Sequence, residues 1–478
     1  MKRRAKASPA EGEFLFEIDS EPLEECVTAL GGVPLLVRAA RSLDVPGSVQ
    51  RQVRIKQRER GFDEATYMES FVVLNAVGGD CLEDFDRLRE DAGLAKMLGH
   101  PIPSAEAARK FLYPFHDEGK IVEAQEALPV GRVSYIPEES APLQGLGEVN
   151  REVVQELGRR CAGEKIATID LDATVIESWK REAKVTYEGS SGYQPVLALW
   201  AEMNVVVAEE FRDGNVPAQQ DLLPVAQRAF AALPSTVQER YFRGDSACDE
   251  ERLLSWLRNE KREGGPAGRI GFAVSARMNA ALRAEILAVP EGQWQPYQED
   301  RAVIKECAEL DYVPEESAAN TYREPLRYVA LRIRKKQGEL FAEGSAVKHF
   351  AVISNVWEWT PKRLLQGHRE KAGSIEAAHD VIKNELAGGV MPCGRFGANA
   401  AWLRLAVLTY NVLTALKRLA LPPELLAARP KRLRFLIFHT PGKLVPHARQ
   451  TLLRLARGWS RFSNWRHALG LLPLPARC

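Results

Sequence analysis

The sequence is poor in residues that cluster around soft metals. Its seven cysteines are scattered singly along 478 residues, and its eight histidines form no pair at zinc spacing. This argues against a zinc site, and isolated thiols are typical of a reducing cytoplasm. A long uninterrupted apolar run is also missing, the nearest being residues 398–420. Arg404, Asn411 and Lys417 interrupt that run, so it predicts a buried helix and not a membrane span.

An excess of one charge is absent as well. Lys and Arg number 65 and Asp and Glu 64, so the net charge of +1 gives no overall attraction for nucleic acid. Local excesses exist in residues 51–60, in residues 327–336 and from Lys431 to the end, where no Asp or Glu occurs. The basic first residues are followed by polar ones and not by the apolar core of a signal peptide. We therefore expect a cytoplasmic protein whose contacts with any polyanion are local.

The length allows two or three domains, because a single hydrophobic core stops growing at about 250–300 residues. Residues 1–150 have mostly helical periodicity, and Ser104 is placed to cap a helix over residues 104–112. These helices can form a helix-turn-helix module or a plain helical bundle, and the sequence leaves both open. A linker rich in Pro, Ser and Glu at residues 136–146 separates them from the rest of the chain.

Beyond residue 160 the pattern changes to strands mixed with helices. Strands are predicted at residues 165–175, 192–200, 205–211, 240–244 and 269–275, and helices at residues 220–233 and 249–258. Residues 294–355 stay β-like, and helices resume at Ser374 and Ala398. The pattern predicts a mixed α/β sheet with a β-rich insertion.

Three acidic motifs stand at strand ends or helix starts. In the first, TIDLDAT, strand alternation puts Asp170 and Asp172 on one face. Carboxylates inside an apolar strand are costly unless they are paired or bind a metal. The alternative is that Asp172 merely ends the strand while Asp170 faces solvent at a sheet edge.

The other two motifs are equally ambiguous alone. Asp245 follows a strand at the position where open α/β sheets place ligands, but Ser246 and Asp249 can equally form a capping box for the next helix. Glu376 lies one turn into a helix predicted to be capped by Ser374. It shares a face with other polar residues, which can also be a solvated surface.

Taken together, the motifs resemble those of the DDE transposases of bacterial insertion sequences, in the group with a β-rich insertion before the catalytic Glu. That family has an RNase H-like catalytic core. The matching strings are DLDAT at residues 170–174, RGDS at 243–246, ISN at 353–355 and HREKAGSIEAAHDVIKNEL at 368–386. The resemblance spans about residues 160–415, and residues 1–150 are similar to the family's leader domain.

The resemblance implies an α/β fold with an RNase H-like mixed-sheet catalytic core, preceded by a helical N-terminal domain. The expected units are a helical DNA-binding domain at residues 1–150, the first part of the core at 160–293, the β-rich insertion at 294–360, the C-terminal core helices carrying the Glu at 361–420, and a basic tail at 421–478. The family's final signature has a Tyr and an Arg before the Glu, where this chain has Arg369 and Ala372.

It also implies that Asp172, Asp245 and Glu376 are catalytic and hold two Mg²⁺ ions, for which Mn²⁺ can substitute. Such an enzyme binds the inverted repeats of its element, cleaves the ends and joins the 3′-hydroxyls to target DNA. Asp170 is placed outside the metal shell, so Asp170→Ala is expected to be milder. A catalytically inactive DNA-binding regulator and a nuclease that cuts without joining remain the alternatives.

Further residues are candidate DNA contacts. Those around the Glu helix are Arg369, Lys371 and Lys383, and those in the insertion are Arg332, Arg334, Lys335 and Lys336. Trp357 and Trp359 can stack on an unpaired base or can pack in the core. The expected partner is double-stranded DNA, both element ends and target, bound by a homodimer in a synaptic complex at the nucleoid, with no role for a membrane.

Overall fold

The structure is a computed structural model that describes residues 21, 25–56, 61–299, 301–314, 325–335, 347–448, 450–456 and 462–474. The candidate residue Lys336 and parts of all three basic segments lie outside these ranges. Within them, every helix is too short or too polar to cross a lipid bilayer.

The N-terminal part is helical, as predicted. Its elements are β1 (Val27–Thr28), α1 (Val33–Ser42), α2 (Val45–Gln52), α3 (Glu64–Val77), α4 (Asp84–Glu90), α5 (Ala92–Leu98), α6 (Ala105–Leu112), α7 (Glu118–Glu126) and α8 (Ala141–Arg160). The predicted cap is confirmed, since Ser104 Oγ accepts the Ala107 N–H at 3.2 Å. The predicted linker ends inside α8, and the domain boundary there stays a prediction.

The central part alternates strands and helices. It comprises β2 (Ile166–Ala173), β3 (Ile176–Glu177), β4 (Lys184–Val185), β5 (Ser191–Tyr193), β6 (Val196–Trp200), β7 (Val205–Glu210), α9 (Leu222–Ala231), β8 (Glu239–Gly244), α10 (Glu251–Arg258), β9 (Gly271–Ser275) and α11 (Ala280–Ala288). The single strand predicted at residues 192–200 is wrong. Gln194 and Pro195 separate β5 from β6, and the proline has no N–H to donate to a ladder.

The C-terminal part continues the sheet and closes the core. It comprises β10 (Gln295–Glu299), β11 (Val303–Leu310), β12 (Arg327–Lys335), β13 (Val347–Ser354), α12 (Pro361–Arg369), α13 (Lys371–Glu385), α14 (Phe396–Ala420), α15 (Pro430–Leu433), β14 (Gly442–His447), β15 (Gln450–Leu455) and α16 (Phe462–Gly470). A segment of the basic tail packs on the core, since Trp465 and Leu472 are buried.

Nine of the described strands form one sheet in the order β10-β11-β12-β13-β9-β8-β2-β6-β7, and two three-stranded sheets, β1-β14-β15 and β3-β5-β4, lie outside it. β8 is parallel to both β2 and β9, and the other neighbours are antiparallel. The five strands β7-β6-β2-β8-β9 have the order and directions of an RNase H-like core, which confirms the expected fold class. The strands of the predicted insertion extend this same sheet, because β13 pairs with β9 through Val352 and Ser275.

Most residues of helix α14 are buried inside the protein. Its polar side chains Arg404 and Asn411 have hydrogen-bonding partners there. Arg404 is 4% exposed and pairs with Glu209 and, at 2.7 Å, with Glu139. Asn411 bonds the backbone of Val206 in β7 in both directions, at 2.9 and 2.8 Å. The prediction of a buried helix is confirmed, and the side chains of Arg404 and Asn411 find their partners in the sheet, in α8 and in the segment just before α8.

We expect Arg404→Met to lower the free energy of unfolding by about 3–5 kcal/mol, because it leaves the buried carboxylate of Glu209 and the partly buried one of Glu139 without their cation. Urea unfolding followed by circular dichroism measures this. Arg109→Met is the control, since Arg109 pairs with Glu83 and Glu106 at the surface, where ion pairs contribute little. Equal losses in both variants would contradict the prediction.

Candidate active site

The first acidic strand carries one buried and one accessible carboxylate. Asp170 has no exposed surface, and its two oxygens accept from Arg243 Nε at 2.6 Å and Nη2 at 2.9 Å. The alternative that Asp170 faces solvent at an edge is therefore wrong, because β2 lies between β6 and β8 inside the sheet. Asp172, two residues on, lies on the same face nearer the strand end and is partly exposed.

Helix α13 lies against these two carboxylates. Ser374 Oγ donates to Asp170 Oδ2, and Lys371 Nζ is 3.1 Å from Asp172 Oδ2. The predicted cap at Ser374 is wrong, because the helix already begins at Lys371 and Ser374 lies within it. Its hydroxyl satisfies a carboxylate of another element and so is not available to a helix end.

The second aspartate lies next to the first. Leu171 and Gly244 are partners in the parallel β2–β8 register, so Asp172 and Asp245 follow at the same edge of the sheet. The predicted capping box after Asp245 is wrong. Glu250 caps α10, and Asp249 accepts the Arg277 N–H at 2.6 Å. Within the described residues, the carboxylate of Asp245 accepts one hydrogen bond, from the Ala247 N–H at 3.0 Å.

The two aspartates affect each other electrostatically. Burial raises the pKa of Asp172, the nearby Lys371 ammonium opposes that rise, and the charge of Asp245 adds to it. The edge of the sheet thus holds two neighbouring carboxylates, and the ammonium of Lys371 on α13 contacts the carboxylate of Asp172. Such a set of hard oxygen donors, short of positive charge, suits a divalent cation such as Mg²⁺.

Glu376 is exposed on α13. Lys383, two turns later on the same flank, donates to Thr174 Oγ1 at 3.1 Å and to the Val175 carbonyl at 2.8 Å. This flank therefore faces the segment that comes after Asp172. The carboxylate oxygens of Asp172, Asp245 and Glu376 do not all lie within 4.8 Å of one another. Among the described residues, the one group of three potential metal ligands that lie this close together is Asp80, Cys81 and Asp84.

Comparison with known proteins decides the family. The description "Transposase DDE domain group 1" matches residues 25–475, almost the whole chain. The chain belongs to this DDE transposase family. No curated protein matches it. Among solved structures, the chain is similar to a piggyBac transposase in a synaptic complex with hairpin DNA, with 12% identity, a TM-score of 0.46, and coverage of 84% of this chain and 78% of that one.

Membership makes DNA transposition the general function, and enzymes of this family cut and join DNA and generally use divalent metal ions. The sequence motifs alone had identified a DDE transposase, and its origin in a bacterial insertion sequence stays a prediction. They did not identify how the transposase holds its acidic residues in place, which is visible only in the structure.

Arg243 is the residue whose role the sequence did not reveal. Besides binding Asp170, it donates to the Gly367 carbonyl at 2.7 Å and pairs with Glu370 at 3.1 Å. It thereby links β2, β8 and the junction between α12 and α13. A signal was present, because a basic residue on an interior strand needs a buried carboxylate, and Asp170 is its partner in the β2–β8 register.

The candidate DNA contacts of the transposase have different surroundings. Arg369 is exposed, whereas Lys371 is 9% exposed and engaged with Asp172. Trp357 is 59% exposed, whereas Trp359 stacks on Tyr241 with ring centroids 5.3 Å apart. Exposure leaves Arg369 and Trp357 free to reach a ligand, and the packing of Trp359 matches the alternative of a structural role.

The candidates in the insertion are more enclosed. Arg332 lies over the Trp294 ring at 4.3 Å and pairs with Glu291 and Glu306 at 2.8 and 2.9 Å. Arg334 shares Glu306 at 2.9 Å, and Lys335 is exposed. The acidic partners neutralise much of the charge of this strand. A DNA path along it stays a prediction.

The Asp170–Arg243 pair predicts a strong coupling. Asp170→Ala and Arg243→Met should each lower the free energy of unfolding by about 3–5 kcal/mol, because each removes the buried partner of a buried charge. The double variant should lose clearly less than the sum of the two. Urea unfolding of all four proteins gives the coupling, with Arg269→Met in the exposed Arg269–Glu358 pair as control. Additive losses would show that the two residues act independently.

Proposed function

We propose that this transposase binds the terminal inverted repeats of an insertion sequence, cleaves the DNA at the ends and joins the 3′-hydroxyl ends to target DNA. The observation that carries the proposal is the placement of Asp172 and Asp245 at the ends of adjacent parallel strands, with α13, the helix of Glu376, packed against them. A homodimer that brings two ends together at the nucleoid is part of the same proposal.

The three carboxylates fit the hard cations that the family generally uses. Two Mg²⁺ or Mn²⁺ ions held by Asp172, Asp245 and Glu376 would polarise the scissile phosphate and activate the attacking water or 3′-hydroxyl. Cysteine and histidine ligands do not contribute to this donor set, which makes a zinc enzyme the less suitable assignment.

Other residues orient the carboxylates, supply positive charge and position the DNA. Arg243, Asp170 and Ser374 fix α13 to the sheet and so orient Glu376. Lys371 supplies positive charge beside Asp172. Exposed cations such as Arg369 position the DNA backbone without reading its sequence. Because the chain has Arg369 and Ala372 at the family's Tyr and Arg positions, Lys371 is the cation closest in sequence to the missing arginine.

We expect Asp172→Ala, Asp245→Ala and Glu376→Ala each to reduce metal-dependent DNA cleavage by about a thousandfold or more, since metal catalysis contributes several kcal/mol to lowering the barrier. DNA binding should persist. The assay uses DNA carrying the inverted repeats that flank the gene. Asp380→Ala is the matched control on α13, because Asp380 pairs at the surface with Arg429. Full activity in any of the first three would remove that residue from the site.

The same assay separates the three candidate functions by its products. A transposase yields cut ends and joined strands, a nuclease yields cut ends only, and an inactive regulator yields neither. Short inverted repeats around the gene, bordered by a direct duplication, would support the first.

Metal binding should also stabilise the fold. At an Mg²⁺ concentration 100 times the dissociation constant, the free energy of unfolding should rise by about 2.7 kcal/mol through mass action. Thermal unfolding in Mg²⁺ and in EDTA at equal ionic strength measures the difference. The gain should be small in Asp172→Asn and normal in Asp380→Asn. An equal gain in both variants would place the ion elsewhere.

A further inference from the structure

A cavity of about 530 Å³ lies between the small sheet β3-β5-β4 and the helical N-terminal part. Its walls come from both of these, from the segment after β7 and from the start of α14. The three carboxylates of the candidate active site do not line it. A cavity of this volume can hold a small organic molecule.

One carboxylate in the wall of this cavity is buried and has no partner. Asp213 is 8% exposed, and within the described residues its side chain forms neither a hydrogen bond nor an ion pair. Burial raises the pKa of Asp213 to about 6, and the charge of Lys184 opposes that rise only in part. A buried carboxylate without a partner costs free energy, which a cation bound in the cavity would recover.

The backbone holds Asp213 in place without a ligand. Asp213 forms an antiparallel bridge with Tyr193 in β5, and the Gly214 N–H donates to the Gly192 carbonyl at 3.1 Å. A Cβ atom on Gly214 would lie 2.5 Å from the Lys184 carbonyl oxygen, so the chain passes between β4 and β5 only as glycine. The unpaired carboxylate is therefore a fixed feature of the fold.

A second carboxylate acts on the same space. Glu182 packs so closely against Gly394, just before α14, that a Cβ atom there would overlap its carboxylate. Burial raises the pKa of Tyr193 to about 12, and the charges of Asp213 and Glu182 both add to this rise. Both carboxylates are thus within electrostatic reach of one buried hydroxyl, which accepts a hydrogen bond from Asn399 at 3.1 Å.

The wall also contains two cations, but they do not select an anionic ligand. Lys184 and Arg395 are exposed, so water solvates their charges, whereas Asp213 is shielded from it. A metal ion is a poor fit too, because no three potential ligand atoms of this cavity lie within 4.8 Å of one another among the described residues. The rest of the wall is largely apolar and includes Ile121 and Phe396. These surroundings favour a positively charged group on an apolar body.

We infer that this cavity binds a small organic cation, with an ammonium or amidinium group on Asp213 and an apolar or aromatic body against Ile121 and Phe396. The inference goes beyond the proposed function and does not depend on it. Its ligand would contact the helical N-terminal part and the small sheet at once.

The test uses isothermal titration calorimetry on the full chain with three probes of similar size and different charge. Benzylamine is the cation, benzyl alcohol the neutral probe and benzoate the anion. Benzylamine should bind at least about tenfold more tightly than either of the others. Asp213→Asn should weaken benzylamine binding by about tenfold to a hundredfold, because it removes a charge-assisted hydrogen bond.

Two further variants and a stability measurement keep the test specific. Glu182→Gln should weaken benzylamine binding by a smaller factor, and Glu182 is exposed, so this variant does not endanger folding. Glu188→Gln is the control, since Glu188 is an exposed carboxylate of the same small sheet that binds Tyr187 outside the cavity. Urea unfolding should show Asp213→Asn to be as stable as the wild type or more so, because asparagine removes an unpaired buried charge. A clear loss of stability would assign Asp213 a structural role and overturn the inference.

Other results would also overturn it. Binding of none of the three probes, equal binding of all three, or unchanged benzylamine binding in Asp213→Asn would each do so. An Asp213→Asn variant that shifts from dimer to monomer in sedimentation equilibrium would assign the carboxylate to a cationic side chain of a second copy. Selective benzylamine binding by a protein that cuts no DNA would support this inference and count against the proposed function.

Discussion

The buried pair of Asp170 and Arg243 is the interaction on which the acidic site depends. It joins β2 to β8 between facing residues of a parallel register, and Ser374 adds α13 to the same carboxylate. An unpaired charge in this interior would be costly, so alternative registers are strongly disfavoured. A slip of one residue would also turn both aspartates of β2 to the other face.

Two aspartates of the same strand have different surroundings because they lie at different depths below the sheet edge. Asp170 and Asp172 lie on one face of one strand. The inner carboxylate, Asp170, is paired with Arg243, whereas the outer one, Asp172, is partly exposed. A single strand thus supplies both the anchor of the scaffold and a group available for chemistry. Depth below the sheet edge, and not residue type, decides which carboxylate has which part.

Much of the fold could be predicted from local patterns. The strands around Asp172 and Asp245, the cap at Ser104 and the buried course of α14 all result from alternation, capping chemistry and interrupted hydrophobicity. These signals lie within a few residues of the elements that they specify. The resemblance to a transposase family came from the order of such elements and from the motifs that they carry.

The misplaced cap at Ser374 involves a group that is satisfied from far along the chain. Ser374 looked like a cap because nothing nearby in sequence reveals that its hydroxyl binds Asp170, more than two hundred residues away. The ion pairs of β12 were likewise not visible in its own sequence, because the carboxylate partners Glu291 and Glu306 lie earlier in the chain. Long-range pairing of polar groups is the information that periodicity does not contain.

The pairing of β1 with a strand near the other end of the chain has a consequence for synthesis. β1 pairs with β14, and the Leu444 N–H donates to the Cys26 carbonyl at 2.8 Å. On the ribosome, the residues of β1 emerge long before their partners exist. Their backbone groups stay unpaired until β14 has been translated, and a product interrupted before that point carries an open strand edge that invites aggregation.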